Sequence, residues 1–373
     1  MHITSLVAVF LLGHAIQAHP GHDVHHEAAL RRHYLSVQDN SLDHCAEVFA
    51  AEGVHRRTID RRAARVSELS PNLESRQAPK IPPSHKGSQG YKPDTDPQLV
   101  FGSNKACVLT PEVTEGPFYV QGQDVRSNIV EQEKGVALHL DFQLIDVTTC
   151  KPMKDVYIEL WNVNATGVYS GAVSPVNGVG GDTKNLDRTF LRGAQKTDED
   201  GVVQFQTNFP GHYAGRATHI HLMTHLNAEP KANNTMWDLS ATYAGQLFFD
   251  QDLIDAIEKL DPYNKNRQSK MRNTQDTILL QETPTADPYL EYVYLGDKVD
   301  AGLFAWYRLG VNPSHNRTIM AAAQRFKEGG KIKTGNPGAG ALFPGGFPTY
   351  APGVGSPVPT GAAGGGRGKW MRG

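Results

Sequence analysis

The chain has 373 residues, 39% of them hydrophobic, with 37 Lys and Arg against 39 Asp and Glu for a formal charge of -2. That length suits one substantial core with appendages. The near balance of charge excludes a global field that would draw the chain to nucleic acid or acidic lipid, so neither a nucleic-acid nor a membrane partner is expected.

The opening MHITSLVAVFLLGHAIQAHP is an apolar run closed by small residues near Ala18, the pattern of a secretory signal peptide over residues 1–18. No later segment reaches the roughly 20 apolar residues that a membrane span requires, so a secreted, extracellular product is expected. Residues 19–76 are rich in histidine and carry the pairs Arg31-Arg32, Arg56-Arg57 and Arg61-Arg62 among short helical stretches. The pairs read either as processing sites of a propeptide or as solvated helix faces. Residues 77–103, dense in Pro, Gly and Ser, read as a linker.

The three cysteines, Cys45, Cys107 and Cys150, permit one intrachain bridge in an oxidising compartment. Cys107 with Cys150 is the favoured pair, closing a loop of about 40 residues worth roughly 4 kcal/mol in the chain-entropy account. Cys45 is then free or paired between molecules. Sequons at Asn164, Asn233 and Asn316 are candidate glycan acceptors.

From 104 to 312 the pattern turns to period two. Leu138, Leu140, Phe142 and Leu144 share one face of a half-buried strand, and Val156, Ile158 and Leu160 share another. VVQFQTNF, ATHIHLMTHL, AGQLFFD, YLEYVYLG and GLFAWYRLG continue the series between turn clusters, which argues for an all-β fold, an antiparallel sandwich or barrel. One helix interrupts it, with Leu253, Ile254, Ile257 and Leu260 at helical spacing before Pro262. Residues 313–373 read as a mostly disordered extension, because the Gly and Pro content beyond Lys327 builds no packed core.

The chemistry concentrates in PGHYAGRATHIHL, residues 210–222. On a strand, His219 and His221 present both imidazoles on one face, about 6 to 7 Å apart at Cα, which suits one chelated metal. Tyr213 sits on the turn before this strand, Arg216 lies three residues ahead of His219, and Tyr169 follows a different strand. Phenolate is a hard anionic donor that suits a trivalent ion, so two tyrosines with two histidines argue for non-haem Fe(III) over Zn(II). His225, farther along, reads as a structural or surface residue.

WNVNATGVYS, with Tyr169 eight residues after Trp161, resembles a segment of the intradiol ring-cleavage dioxygenases, and PGHYAGRATHIHL resembles that family's second ligand segment. TEGPFYV at 114–120 is similar to the entry of its catalytic core, and AGQLFFD to the strand carrying an active-site glutamine. The resemblance spans about residues 104 to 310. It implies a β-sandwich in which Tyr169, Tyr213, His219 and His221 bind a ferric ion, Arg216 offsets negative charge on the substrate, and Gln246 lines the pocket. It further implies that Tyr213 accepts a substrate proton while a catechol-type aromatic and O2 react between the two hydroxylated carbons to give a muconate-type diacid. A homodimer is the assembly it suggests. Ala217 replaces a proline usual after the arginine and the Tyr213–Arg216 loop is short, so pocket shape, and with it the choice among catechols, departs from the family pattern. The rival reading is a non-catalytic secreted sandwich that keeps a metal site as a binding module.

Overall fold

The structure, a computed structural model, describes residues 42–70, 96–101 and 116–333 apart from 175, 176, 180 and 285. The signal peptide, most of the linker, Cys107 and the chain from 334 onward lie outside the described residues.

Two four-stranded sheets carry the fold. Strands β1 (Ala137–Asp146), β4 (Val202–Asn208), β7 (Glu291–Tyr294) and β8 (Leu303–Val311) form one in the order β7-β8-β1-β4. Strands β2 (Tyr157–Trp161), β3 (Arg192–Lys196), β5 (His219–His225) and β6 (Tyr243–Phe248) form the other in the order β6-β5-β2-β3. The period-two residues Leu138, Leu140, Phe142 and Leu144 meet Ile158, Leu160, Ile220, Leu222 and Leu247 in the principal core, together with Leu253, Ile254 and Ile257 of helix α4 (Gln251–Ile257). Alternation places one side of each strand against its counterpart, and burying those side chains contributes about 1.5–3 kcal/mol apiece.

The sandwich is not wholly antiparallel, a correction to the sequence reading: β8 runs parallel to β1, with Leu303 opposite Leu138 and Val311 opposite Asp146. Hydrophobic period specifies which face is buried and carries no information on strand direction, since a parallel neighbour needs only a long enough crossover.

β1 is also buried on both faces rather than one. Its outward residues Asp141 and Gln143 are covered by helix α2 (Val54–Leu69), while Phe49 of α1 (Ala46–Ala51) packs on Ile145 and Val147 at the strand's end and α3 (Pro97–Phe101) packs nearby. Ile59, Val100 and Phe101 rest on Val293, Phe304 and Trp306. Arg61 donates to both Asp141 oxygens at 3.0 Å and Arg62 to one at 3.0 Å, while Gln204 completes the carboxylate's set. The Arg61-Arg62 pair is therefore neither an open processing site nor a solvated face; it is the polar anchor that seats α2.

The disulfide joins Cys45 to Cys150, which corrects the Cys107–Cys150 pairing. Cys45 stands where α1 begins, and its neighbours Leu42, Phe49 and Val54 pack with Ile145, Val147 and Cys150, so docking of the N-terminal helices brings the sulfurs together. The separation of 105 residues closes a long loop, which the chain-entropy account values at about 4–5 kcal/mol.

The extension assigned to 313–373 is ordered in its first part. Arg317–Thr318 pairs with Ser240–Ala241, and Ala323–Phe326 pairs with Val120–Gln121 and with Gly329–Ile332. Strands this short carry too few residues to show a period. Among the described residues no helix is long and apolar enough to cross a membrane.

Candidate metal centre

His219 and His221 stand on the outer face of the second sheet, because Ile220 and Leu222 take the inner face. Register sets their surroundings: Gln246 on β6 and Trp161 on β2 both lie opposite His221, and Phe248 lies opposite His219. Trp161 stacks flat on the His221 ring, with centroids 4.9 Å apart and planes 4° from parallel.

Two loops bring the tyrosines over this face. Tyr169 is fixed through its backbone, whose N–H donates to Asn177 Oδ1 at 2.7 Å and whose carbonyl accepts from Asn177 and Asn185. Phe118 stacks on its ring at 4.6 Å, and the Arg192 guanidinium lies 5.8 Å from the ring centre. Tyr213 follows a turn whose His212 meets Glu258 at 2.6 Å. The loops interlock at Gly167, where φ is +79° and a Cβ would stand 2.0 Å from the His212 carbonyl oxygen. Only glycine fits that approach. Gln268 staples the same two loops: its amide N–H groups donate to the carbonyls of Thr166 and Gly167, and its Oε1 accepts from Ala214 N.

The four side chains converge. Ring centroids are separated by 5.3 Å for Tyr169 and Tyr213, 5.6 Å for Tyr213 and His219, 5.9 Å for Tyr169 and His221, and 4.7 Å for the two histidines. Neither tyrosine hydroxyl meets hydrogen-bond geometry with a described residue, although both are buried, and His221 Nδ1 is likewise without such a partner. His219 Nδ1 lies 2.7 Å from the Ala217 carbonyl oxygen, so Nδ1 carries the proton and Nε2 presents a lone pair. That Nε2 faces His221 Nε2 at 3.0 Å. Two nitrogens at that spacing suit a shared cation with metal–nitrogen bonds of about 2.0–2.1 Å, and two buried phenol oxygens beside them complete a mixed N/O donor set. The residues present fit a ferric ion on this donor chemistry.

Electrostatics point the same way. Burial, reinforced by Tyr213, pushes the Tyr169 phenol well above its ordinary range, and burial pushes Tyr213 up to about 12. Burial, His219 and Arg216 push His221 well below its usual value, leaving a neutral imidazole suited to ligation. The protein alone keeps these phenols protonated, so a strongly charged cation is what would draw the protons off.

Arg216 is fully buried, donating to Asp276 from Nε at 2.8 Å and to Gln246 Oε1 from Nη2 at 2.5 Å. Gln246 Nε2 has no partner among the described residues. Asn177, Asn185, Arg192, Gln268 and Asp276 were not singled out by the sequence. Each is a polar residue in a loop, a short 3-10 turn or a strand start, with nothing to set it apart from its neighbours, and only the Asp276-Thr277 pair before an apolar run carries a signal, that of a helix cap.

His225, on the same strand, is structural and buried. Its ring meets Glu159 at 3.2 Å and the Ser240 carbonyl at 2.7 Å, and Tyr119 donates to the same Glu159 oxygen. Burial opposes its charge, but Asp238 and Glu159 outweigh burial and push the imidazole up to about 9 from 6.5. A raised value makes the contribution, about 3 kcal/mol, complete below pH 6.5 and lost as pH rises through about 9. The melting midpoint is expected to fall across that alkaline window in the wild type, and the His225→Gln variant should lack that fall.

A family model described as "Dioxygenase" matches residues 114–242. Catechol 1,2-dioxygenase 1 of Acinetobacter lwoffii is 29% identical over 113 residues, 28% of this chain, and the match spans only 32% of that relative's length. Among solved structures, an intradiol ring-cleavage dioxygenase from Tetranychus urticae is 33% identical over 56% of this chain and 96% of its own, with a TM-score of 0.46. A further dioxygenase structure is 34% identical over the same shares, 56% and 96%, with a TM-score of 0.45. One-third identity sustained along nearly the whole of a relative, together with the family model over both tyrosine and histidine segments, places this chain in the intradiol ring-cleavage dioxygenase family.

Proposed function

We propose that this protein is a secreted enzyme that uses O2 to cleave catechol-type aromatics between their two hydroxylated carbons, with a non-haem ferric ion held by Tyr169, Tyr213, His219 and His221. The observation that carries the reading is the convergence, on one sheet face, of two facing imidazole nitrogens with two buried phenol oxygens that meet strict hydrogen-bond geometry with none of the described residues. A ferric ion held there supplies the Lewis acidity that makes a bound catecholate reactive towards dioxygen. Tyr213 stands against His219, with ring centroids 5.6 Å apart, and within the influence of the Arg216 charge, so a phenolate there would be placed to take a proton from the incoming diol. Arg216, fully buried, contributes fixed positive charge against negative charge developing on the ring. Gln246 offers an amide N–H at the same wall.

The reaction adds both atoms of O2 to the diol, and both hydroxylated carbons become carboxyl carbons. Oxygen uptake with catechol under 18O2 should therefore yield a muconate-type diacid carrying two labelled oxygens by mass spectrometry. A ring-opened aldehyde would place the cut beside the diol and overturn the reading; catechol binding without oxygen uptake would leave the binding-module reading.

Export is supported by the Cys45–Cys150 bridge, since such bonds persist in oxidising compartments, and by the apolar run of residues 1–18. Asn233 and Asn316 are exposed. Asn164 is committed to its own turn: its amide donates to Glu133, and its Oδ1 accepts from Thr166 and from Val168 N. In a eukaryotic secretory host, glycopeptide mapping is expected to find glycans at Asn233 and Asn316 and an unmodified Asn164.

A further inference from the structure

Asp276 has two tasks at one carboxylate. It caps helix α5 (Thr277–Glu282), with Oδ1 accepting from Ile278 N at 3.0 Å and Leu279 N at 3.1 Å. It also accepts from Arg216, at Oδ2 from Nε at 2.8 Å and at Oδ1 from Nη2 at 3.4 Å, and from Ala217 N at 2.8 Å. Both side chains of the pair are fully buried.

A guanidinium taken wholly out of water is costly unless a counter-charge accompanies it, and a two-point contact also fixes the plane of the guanidinium. The same Nη2 reaches Gln246 Oε1 at 2.5 Å, so the orientation imposed at Asp276 passes through Arg216 to the Gln246 amide. A helix cap needs none of this, since the cap is made by Oδ1 while Oδ2 serves Arg216 and Ala217.

We infer that Asp276 is a positioning residue for the ring-cleavage reaction, holding the Arg216 guanidinium in one plane and aimed, and through it Gln246. The inference rests on the ring-cleavage reading. Asn caps helices as well as Asp does, so Asp276→Asn keeps α5 while removing the counter-charge and one of the two acceptor oxygens.

The test is a double-mutant cycle of Asp276→Asn and Arg216→Gln on the full chain, read in two ways. In the iron-loaded protein, Asp276→Asn should lower kcat about 10–100-fold with KM little changed, yet have almost no further effect when Arg216 is already Gln. In the metal-free protein, Arg216→Gln should lower the melting midpoint by burying an unpaired carboxylate, and adding Asp276→Asn should restore part of the loss. Equal fold-losses of kcat in both backgrounds, wild-type kcat in Asp276→Asn, or additive melting shifts would each overturn the inference. If the loaded wild type cleaves no catechol, the ring-cleavage reading fails instead. Catechol affinity, followed by anaerobic spectral titration, then takes the place of kcat in the same cycle.

Discussion

His221→Ala is expected to lose iron on dialysis, lose visible colour and lose ring-cleavage activity while retaining the far-ultraviolet circular dichroism of the wild type. His221 makes its closest polar approach at Nε2, 3.0 Å from His219 Nε2, and its ring lies flat against Trp161. Removing the imidazole subtracts one of two neutral nitrogen donors and leaves two phenol oxygens whose burial already holds them protonated. The remaining three side chains then supply too few donor atoms to hold a ferric ion against dialysis, since affinity at a metal site depends on a complete ligand set. The inner face of β5, built from Ile220 and Leu222, is untouched, so the sandwich should persist. His225→Gln supplies the control: it lies on the same strand face four positions on, but engages Glu159 and Ser240 rather than the cluster. It should keep its iron. Retention of stoichiometric iron by His221→Ala, measured by metal analysis, would remove His221 from the ligand set.

Asp141→Ala is expected to destabilise the protein by about 3–5 kcal/mol and to loosen α2 from the sheet. Asp141 is fully buried and is the common acceptor for Arg61, Arg62 and Gln204. Burial opposes its charge, but Arg61 and Arg62 outweigh burial and hold the carboxyl far below its usual range. Because the value is depressed, this stabilisation is complete above the ordinary carboxylate range and survives until strongly acid pH. Without the carboxylate, Arg61 can turn towards solvent, whereas Arg62 is left buried against Trp306, 5.5 Å from its ring centre. A drop in the melting midpoint of roughly 6–20 °C should follow, together with trypsin cleavage at Arg61 and Arg62 that the wild type resists. A variant that melts like the wild type and resists trypsin would show that the apolar contacts of Ile59, Val100 and Phe101 suffice to seat the helices.

How much of this was legible in the sequence differs by element. The inner faces of the strands were readable residue by residue, because Leu138 to Leu144 and Ile158 with Leu160 obey a period that burial imposes. Helix α4 was readable for the same reason at its own period. The parallel union of β8 with β1 was not, since a strand's side chains alternate identically in either direction. Asp141 looked like the solvent side of a strand, and only the docked helix makes it interior. The Cys45–Cys150 bridge depends on where two distant segments fold, which cysteine spacing alone does not encode.

At the site, residue types suited to a trivalent ion were visible because His219 and His221 alternate on one strand and two tyrosines accompany them. The scaffold behind them was invisible. Gln268 and Asp276 lie in the segment between α4 and α5, far along the chain from the loops they hold, and neither sits in a repeating pattern. Polar residues that orient others through one or two hydrogen bonds leave no periodic trace, so tertiary structure is needed to find them.

The central claim, that two tyrosinates and two histidines share one ferric ion, is tested most directly by the visible absorption spectrum of the iron-loaded protein, before and after anaerobic addition of catechol. The wild type should show a tyrosinate-to-iron charge-transfer band that moves to longer wavelength with catechol, and Tyr169→Phe and Tyr213→Phe should each weaken the band seen before catechol is added. Bound iron that gives no such band, or a band unchanged by both tyrosine replacements, would contradict the account.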